Sequence, residues 1–136
     1  MIYLDSAAVV KLVRQEAHSA DLVSWLNTHD DVPLVSSALV EVEVPQALRR
    51  SAPQALIGVP AAVGRLFRLE IDSTIRATTA AFAEPTLRSL DAIHLATAQV
   101  LTNESGAALI AFVTYDRRLL ESAKTAGLPV ASPGQD

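Results

Sequence analysis

Residues Leu87 to Gln99 place two ionisable side chains inside an apolar helical pattern. Leu87, Leu90, Ile93, Ala96, Ala98 and Val100 fall on nearly every side of a helical wheel, and a helix apolar all round belongs in a core. Asp91 and His94 sit one turn apart within it, on one face. A carboxylate in a buried helix is costly unless a partner or a cation neutralises it. Three more acids are candidates to share the task. Asp5 directly follows the short apolar run Ile2 to Leu4, and Asp116 follows the strongest apolar run, Ala107 to Thr114. The third is Glu41 or Glu43. At about 100° per residue, Leu39, Val40, Val44, Ala47 and Leu48 form one apolar arc. Glu43 lies inside that arc and Glu41 at its edge, so Glu43 is the choice. Converging carboxylates repel or take up protons. A hard divalent cation, Mg²⁺ or Mn²⁺, neutralises them with oxygen ligands and keeps waters for chemistry. Such a cage suits phosphodiester hydrolysis.

Strands alternating with helices must deliver these acids to one place. Ile2 to Leu4 reads as a buried strand, with Asp5 or Ser6 capping a helix to Val13. His18 to Thr28 reads as a second helix, Val32 to Val35 as a strand, and Ser36 or Ser37 as the start of a helix to about Arg50. Pro45 is expected to kink that helix. Pro53, Gly58 and Pro60 break residues 51–64 into a short helical hairpin. Leu66 to Ile71 reads as a strand, and Asp72 to Thr74 caps a helix to about Ala83. The Asp91 helix frays near Asn103 to Gly106, residues 107–114 form a strand, Asp116 caps a last helix, and 128–130 form an edge strand. The pattern predicts an α/β fold, a three-layer α/β/α sandwich with a short parallel sheet of four or five strands. In such a sheet every strand's C-terminal end lies on one rim, where open α/β sheets place their sites. Asp5 and Asp116 fall on that rim, and Asp91 can join them from the early turns of its helix.

Composition narrows the class. Hydrophobic residues at 50% against 19% charged make the 136-residue chain globular and able to bury a core unaided. There is no cysteine, which excludes disulfides and thiolate metal sites and suits a cytoplasmic location. The N-terminus has no basic, then apolar, leader pattern, and no run is long enough to span a membrane. A net charge of −4 argues against a generally basic nucleic-acid binder. Nine of the eleven cations are nevertheless Arg, the residue suited to forked phosphate contacts.

Four segments, in order, resemble the PIN-domain nucleases, specifically the VapC-type toxins of bacterial toxin–antitoxin pairs. They are Tyr3-Leu4-Asp5-Ser6-Ala7, Ser36 to Glu43, Leu87 to Ala98, and Val113 to Leu119. The family's second acid stands six residues after the serine, which from Ser37 is Glu43. The resemblance implies one PIN-like nuclease domain over residues 1–136. Asp5, Glu43, Asp91 and Asp116 would bind Mg²⁺ or Mn²⁺ and cleave single-stranded RNA. Ser6, Ser37 and Thr114 would support the site by hydrogen bonding. The hairpin at 51–64 resembles the family's variable clip, which implies a homodimer and a groove for a cognate antitoxin protein. Gln46 stands where many relatives carry Arg, a departure from the pattern that bears on one basic contact the resemblance implies.

Each residue also has a plainer role. Asp5 and Asp116 alone would be helix caps, Asp91 a paired core acid, and Glu43 a solvated charge. His94 reads as a structural hydrogen-bond partner near Asp91 rather than a ligand or base. Trp25, Phe67, Phe82 and Phe112 read as core or interface, and the arginines at 49, 50, 65, 68 and 117 as surface, with a subset free to grip phosphates. Two other functions compete. One is a catalytically idle relative that only binds RNA or protein. The other is a phosphatase using Asp5 as nucleophile, as haloacid-dehalogenase-like enzymes do, but those carry a second Asp two residues on, where this chain has Ala7.

Overall fold

Every strand in the computed structural model, which describes residues 1–135, runs parallel to its neighbours. The strands are β1 (Ile2–Leu4), β2 (Leu34–Ser37), β3 (Phe67–Leu69), β4 (Ala111–Val113) and β5 (Val130–Ala131), in the spatial order β3-β2-β1-β4-β5. Helices α1 (Ser6–Val13), α2 (Ser19–Asn27), α3 (Val40–Ser51), α4 (Val59–Gly64), α5 (Ser73–Ala80), α6 (Ser89–Ser105) and α7 (Arg117–Thr125) connect them, with a 3₁₀ turn at Pro53–Gly58 before α4.

Side-chain alternation along the strands sorts the core into two layers. Ile2, Leu4, Ala111 and Val113 face α1 to α4, where they pack with Val9, Leu22, Val44 and Leu48. Tyr3, Val35 and Phe112 face the other way, against Leu95 and Ala98 of α6 and Leu119 and Ala123 of α7. Tyr3 and Phe112 stack with ring centroids 5.0 Å apart. Both faces of the sheet are covered, which is why β1 and β4 are buried at every position. The expected three-layer α/β/α sandwich is the fold observed.

Several boundaries differ from the sequence reading. Ser36 and Ser37 belong to β2, paired with Arg68 and Leu69 of β3, and α3 begins only at Val40. The pairing wins because each serine hydroxyl finds a local partner: Ser36 Oγ donates to the Leu4 carbonyl at 2.6 Å, and Ser37 Oγ accepts from the Leu39 N–H at 3.1 Å. The strand expected over 107–114 is only Ala111–Val113, matched in length to its three-residue partner β1. Pro45 lies inside α3 without dividing it. The Asp91 helix is not buried all round. Leu90 is 48% exposed, Asp91 is half-buried, and continuous burial starts only beyond that first turn. Phe67, on the edge strand, is exposed. The hairpin falls where expected, as the 3₁₀ turn and α4.

Candidate active site

Connections leave β1 toward β2 on one side, while β4 lies on its other side, so the strand order reverses between β1 and β4. A crevice opens at such a switch point beyond the strands' C-terminal ends. Asp5 follows β1 directly, and Asp116 follows β4 by three residues. Each carboxylate caps the next helix. Asp5 Oδ1 accepts from the Ala8 N–H at 2.9 Å, and Asp116 Oδ1 accepts from the Arg118 and Leu119 N–H groups at 2.9 and 3.0 Å. Capping therefore does not compete with a site. It fixes where both carboxylates stand, at the positive ends of α1 and α7. Thr114, fully buried, links them: its hydroxyl accepts from the Asp116 N–H at 3.2 Å and hydrogen-bonds the Asp5 carboxylate.

Glu43 and Glu41 part company on α3. Glu43 Oε1 accepts from Ser6 Oγ at 2.5 Å and from His94 Nε2 at 3.0 Å, while Glu41 turns outward to Arg68 at 3.3 Å. Burial pushes the Glu43 carboxyl up, but the hydrogen bonds from His94 and Ser6 outweigh it and hold the group below its ordinary value. His94, only 2% exposed, hydrogen-bonds Glu43, Ser6 and Tyr3. His94 lies one turn further along α6 than Asp91 and meets β1 at Tyr3. Ser37 Oγ accepts from the Leu39 N–H at the turn into α3.

Asp91 faces a cavity of about 260 Å³ that it shares with Asp116, Arg88, Arg117 and Arg118. Desolvation raises its carboxyl above the ordinary carboxylate value, and the charges of Asp116, Asp5 and Glu43 raise it further. Asp5, 4% exposed, is also raised, chiefly by burial, against the opposing pull of His94 and the Thr114 hydrogen bond. The four acids thus share one electrostatic field. A second cavity of about 440 Å³ opens beside Glu43, lined mainly by Ala7, Val10, Leu39, Val42, Ala47 and Leu90, with Gln46 and Arg50 among its polar residues.

The donor set fits a hard divalent cation: carboxylate oxygens, no thiol, and the one imidazole committed to protein partners. Among the described residues, no three His, Asp or Glu side chains already stand together as a metal-holding group; Glu43 lines the second cavity, while Asp91 and Asp116 share the first volume of about 260 Å³. Arg88 and Arg118 sit beside that volume, and the sequence reading missed both. The signal was available for Arg118, which lies in the first turn of the helix that Asp116 caps. The sequence reading also passed over Tyr3, although a tyrosine hydroxyl inside a fully buried strand requires a partner.

A three-layer sheet with acids and arginines at its switch point defines a nuclease-like class, and a profile of the PIN domain family matches residues 2–125. The chain belongs to the PIN-domain family, within its VapC-type ribonucleases. It is 51% identical over 135 residues to ribonuclease VapC35 of Mycobacterium tuberculosis, covering 99% of this chain and 98% of that protein. Ribonuclease VapC46 of the same organism is 41% identical over 132 residues, 97% of each chain. The crystal structure of Mycobacterium tuberculosis VapC20, a toxin described as cleaving the sarcin–ricin loop, superposes with a TM-score of 0.70 at 14% identity. The match spans 98% of this chain and all of that one, and it shows a shared fold.

Proposed function

We propose that this chain is a Mg²⁺- or Mn²⁺-dependent endoribonuclease toxin, a single PIN-like domain that hydrolyses phosphodiester bonds in single-stranded RNA. The observation that carries the metal site is the cavity that Asp91 and Asp116 line together, where desolvation first and then the charges of Asp116, Asp5 and Glu43 raise the Asp91 carboxyl. Asp5, Glu43, Asp91 and Asp116 would hold the cation. When bound, it supplies Lewis acidity to a water and to the phosphate oxygens. Thr114 and the α1 and α7 amides keep Asp5 and Asp116 in place, and Ser6 and His94 keep Glu43 ionised and aimed. Arg88 and Arg118 offer forked donors to phosphates flanking the scissile bond, which the acidic centre alone would repel. Cleavage of a single-stranded RNA with Mg²⁺ or Mn²⁺, abolished by chelator and by Asp91→Asn, tests the reading.

The resemblance to VapC toxins extends the proposal to partners and place. The chain acts in the cytoplasm, and among the described residues no helix is long and apolar enough to cross a membrane. A cognate antitoxin neutralises it, placing an Arg among the acids where the cation's charge would otherwise be. The clip at 51–64 exposes Ile57 almost entirely, as a homodimer or antitoxin contact would require.

A further inference from the structure

We infer that Tyr3 is a positioning residue for Glu43, acting through His94: its hydroxyl donates to Nδ1, which holds the ring with Nε2–H aimed at the Glu43 carboxylate. The role rests on the metal-nuclease reading of Glu43.

The chain of contacts is short and buried. Tyr3 Oη lies 2.7 Å from His94 Nδ1, and both side chains are withdrawn from water, Tyr3 entirely. On the ring's far side, Nε2 lies 3.0 Å from Glu43 Oε1 and 2.9 Å from Ser6 Oγ. A carboxylate can only accept, so the nitrogen facing it must carry a proton. Ser6 gives its own proton to Glu43, so its oxygen is an acceptor for the same N–H. That leaves Nδ1. In the neutral ring, which has one N–H, that proton is on Nε2. Nδ1 therefore accepts, and the phenol is the donor.

The consequence reaches the site. One ring ties α6 to β1 through Tyr3, to α1 through Ser6 and to α3 through Glu43. Asp91 stands one turn earlier on the same α6. The spacing between Asp91 and Glu43 is thus set by a hydrogen-bond chain that ends at Tyr3. Without the hydroxyl, the ring can flip or exchange tautomers, and Glu43 loses a fixed donor. Partners of this kind around metal-binding groups change metal affinity by roughly 10–100-fold when removed.

The test compares the wild type with Tyr3→Phe, which keeps the ring and its stacking on Phe112. Nitrogen-15 NMR of the metal-free protein in mildly alkaline buffer reads the His94 tautomer directly, and Mn²⁺ titration reads the affinity. The wild type is expected to show a protonated Nε2 and a bare Nδ1. Tyr3→Phe is expected to mix the tautomers and weaken Mn²⁺ binding by about tenfold or more. Phe112→Leu, which loosens the same core without touching the hydroxyl, is expected to lower Tm and leave tautomer and affinity unchanged. A protonated Nδ1 in the wild type would overturn the inference, and this holds even if Tyr3→Phe does not fold. Unchanged Mn²⁺ affinity in folded Tyr3→Phe, or an equal loss in Phe112→Leu, overturns it as well. Failure of the wild type to bind Mn²⁺ would strike the nuclease reading instead, and with it the role for Glu43.

Discussion

His94 Nε2 stands 3.0 Å from Glu43 Oε1, a contact that joins α6 to α3 across 51 residues of sequence. Glu41, two residues away from Glu43, is held by Arg68 at the half-exposed surface. The two glutamates therefore differ in what their removal does. Glu43→Gln is expected to cut RNA cleavage by at least about 100-fold, since it removes a charge that would face the proposed cation and a partner of His94. Glu41→Gln is expected to change it by less than about twofold, because an exposed ion pair contributes little. Rates measured under single-turnover conditions decide the ranking, and the reverse order would remove Glu43 from the site.

Cleavage is expected to vanish in chelator and return with Mg²⁺ or Mn²⁺. In the proposed chemistry the cation is what activates the water. RNA cut equally well in chelator would refute the metal-dependent reading.

Asp91→Asn is expected to stabilise the metal-free protein. It removes one of several mutually repelling charges at nearly constant shape, an effect on the order of 1 kcal/mol or less after solvent screening, or a Tm rise of roughly 2–5 °C. The pH dependence follows from the direction of each shift. Asp91 and Asp5 are raised in the fold, so their favourable contribution is complete below the unfolded value and is lost as pH rises through the folded one. Glu43 is lowered, so its contribution is present above its ordinary value and is lost as pH falls through the folded one. The Tm gap between Asp91→Asn and wild type in chelator should therefore widen as pH climbs from about 4, the ordinary Asp value. Added Mg²⁺ should stabilise the wild type and leave the variant nearly unmoved. A variant that melts below wild type in chelator would make Asp91 a paired structural acid.

Arg88 and Arg118 share the cavity of Asp91 and Asp116. In a non-cleaving Asp91→Asn background, replacing either with Ala should weaken binding of a single-stranded RNA and reduce its log–log salt slope by about 0.7 for each phosphate no longer neutralised. Fluorescence anisotropy across salt concentrations measures both. Unchanged slopes would place the RNA backbone elsewhere.

Ile57 is 92% exposed on the 3₁₀ turn that leads into α4. If the clip joins two copies, Ile57→Asp should shift the protein from dimer to monomer in light scattering while leaving its circular dichroism intact. A wild type that is monomeric at every concentration would rule the dimer out.

Sequence alone was enough for the periodic part of the protein. Alternating strands and helices predict the parallel sandwich, and an acid placed just after a buried strand must lie on the sheet's C-terminal rim. Asp5 and Asp116 are legible for that reason, since both positions follow from local chain direction. The choice of Glu43 over Glu41 followed from an angle on a wheel, because neighbours on a helix point in directions set by its pitch. Three things belong to the tertiary structure. Ser36 and Ser37 are extended because β3 pairs with them, and that partner lies more than 30 residues away. The first turn of α6 is open to the cavity because it overhangs the sheet, a matter of where the helix ends relative to β1 rather than of its apolar pattern. The line from Tyr3 through His94 to Glu43 joins β1, α6 and α3. No spacing along the chain encodes it, because it exists only once three separate elements have packed and buried polar atoms must bond one another or remain unsatisfied.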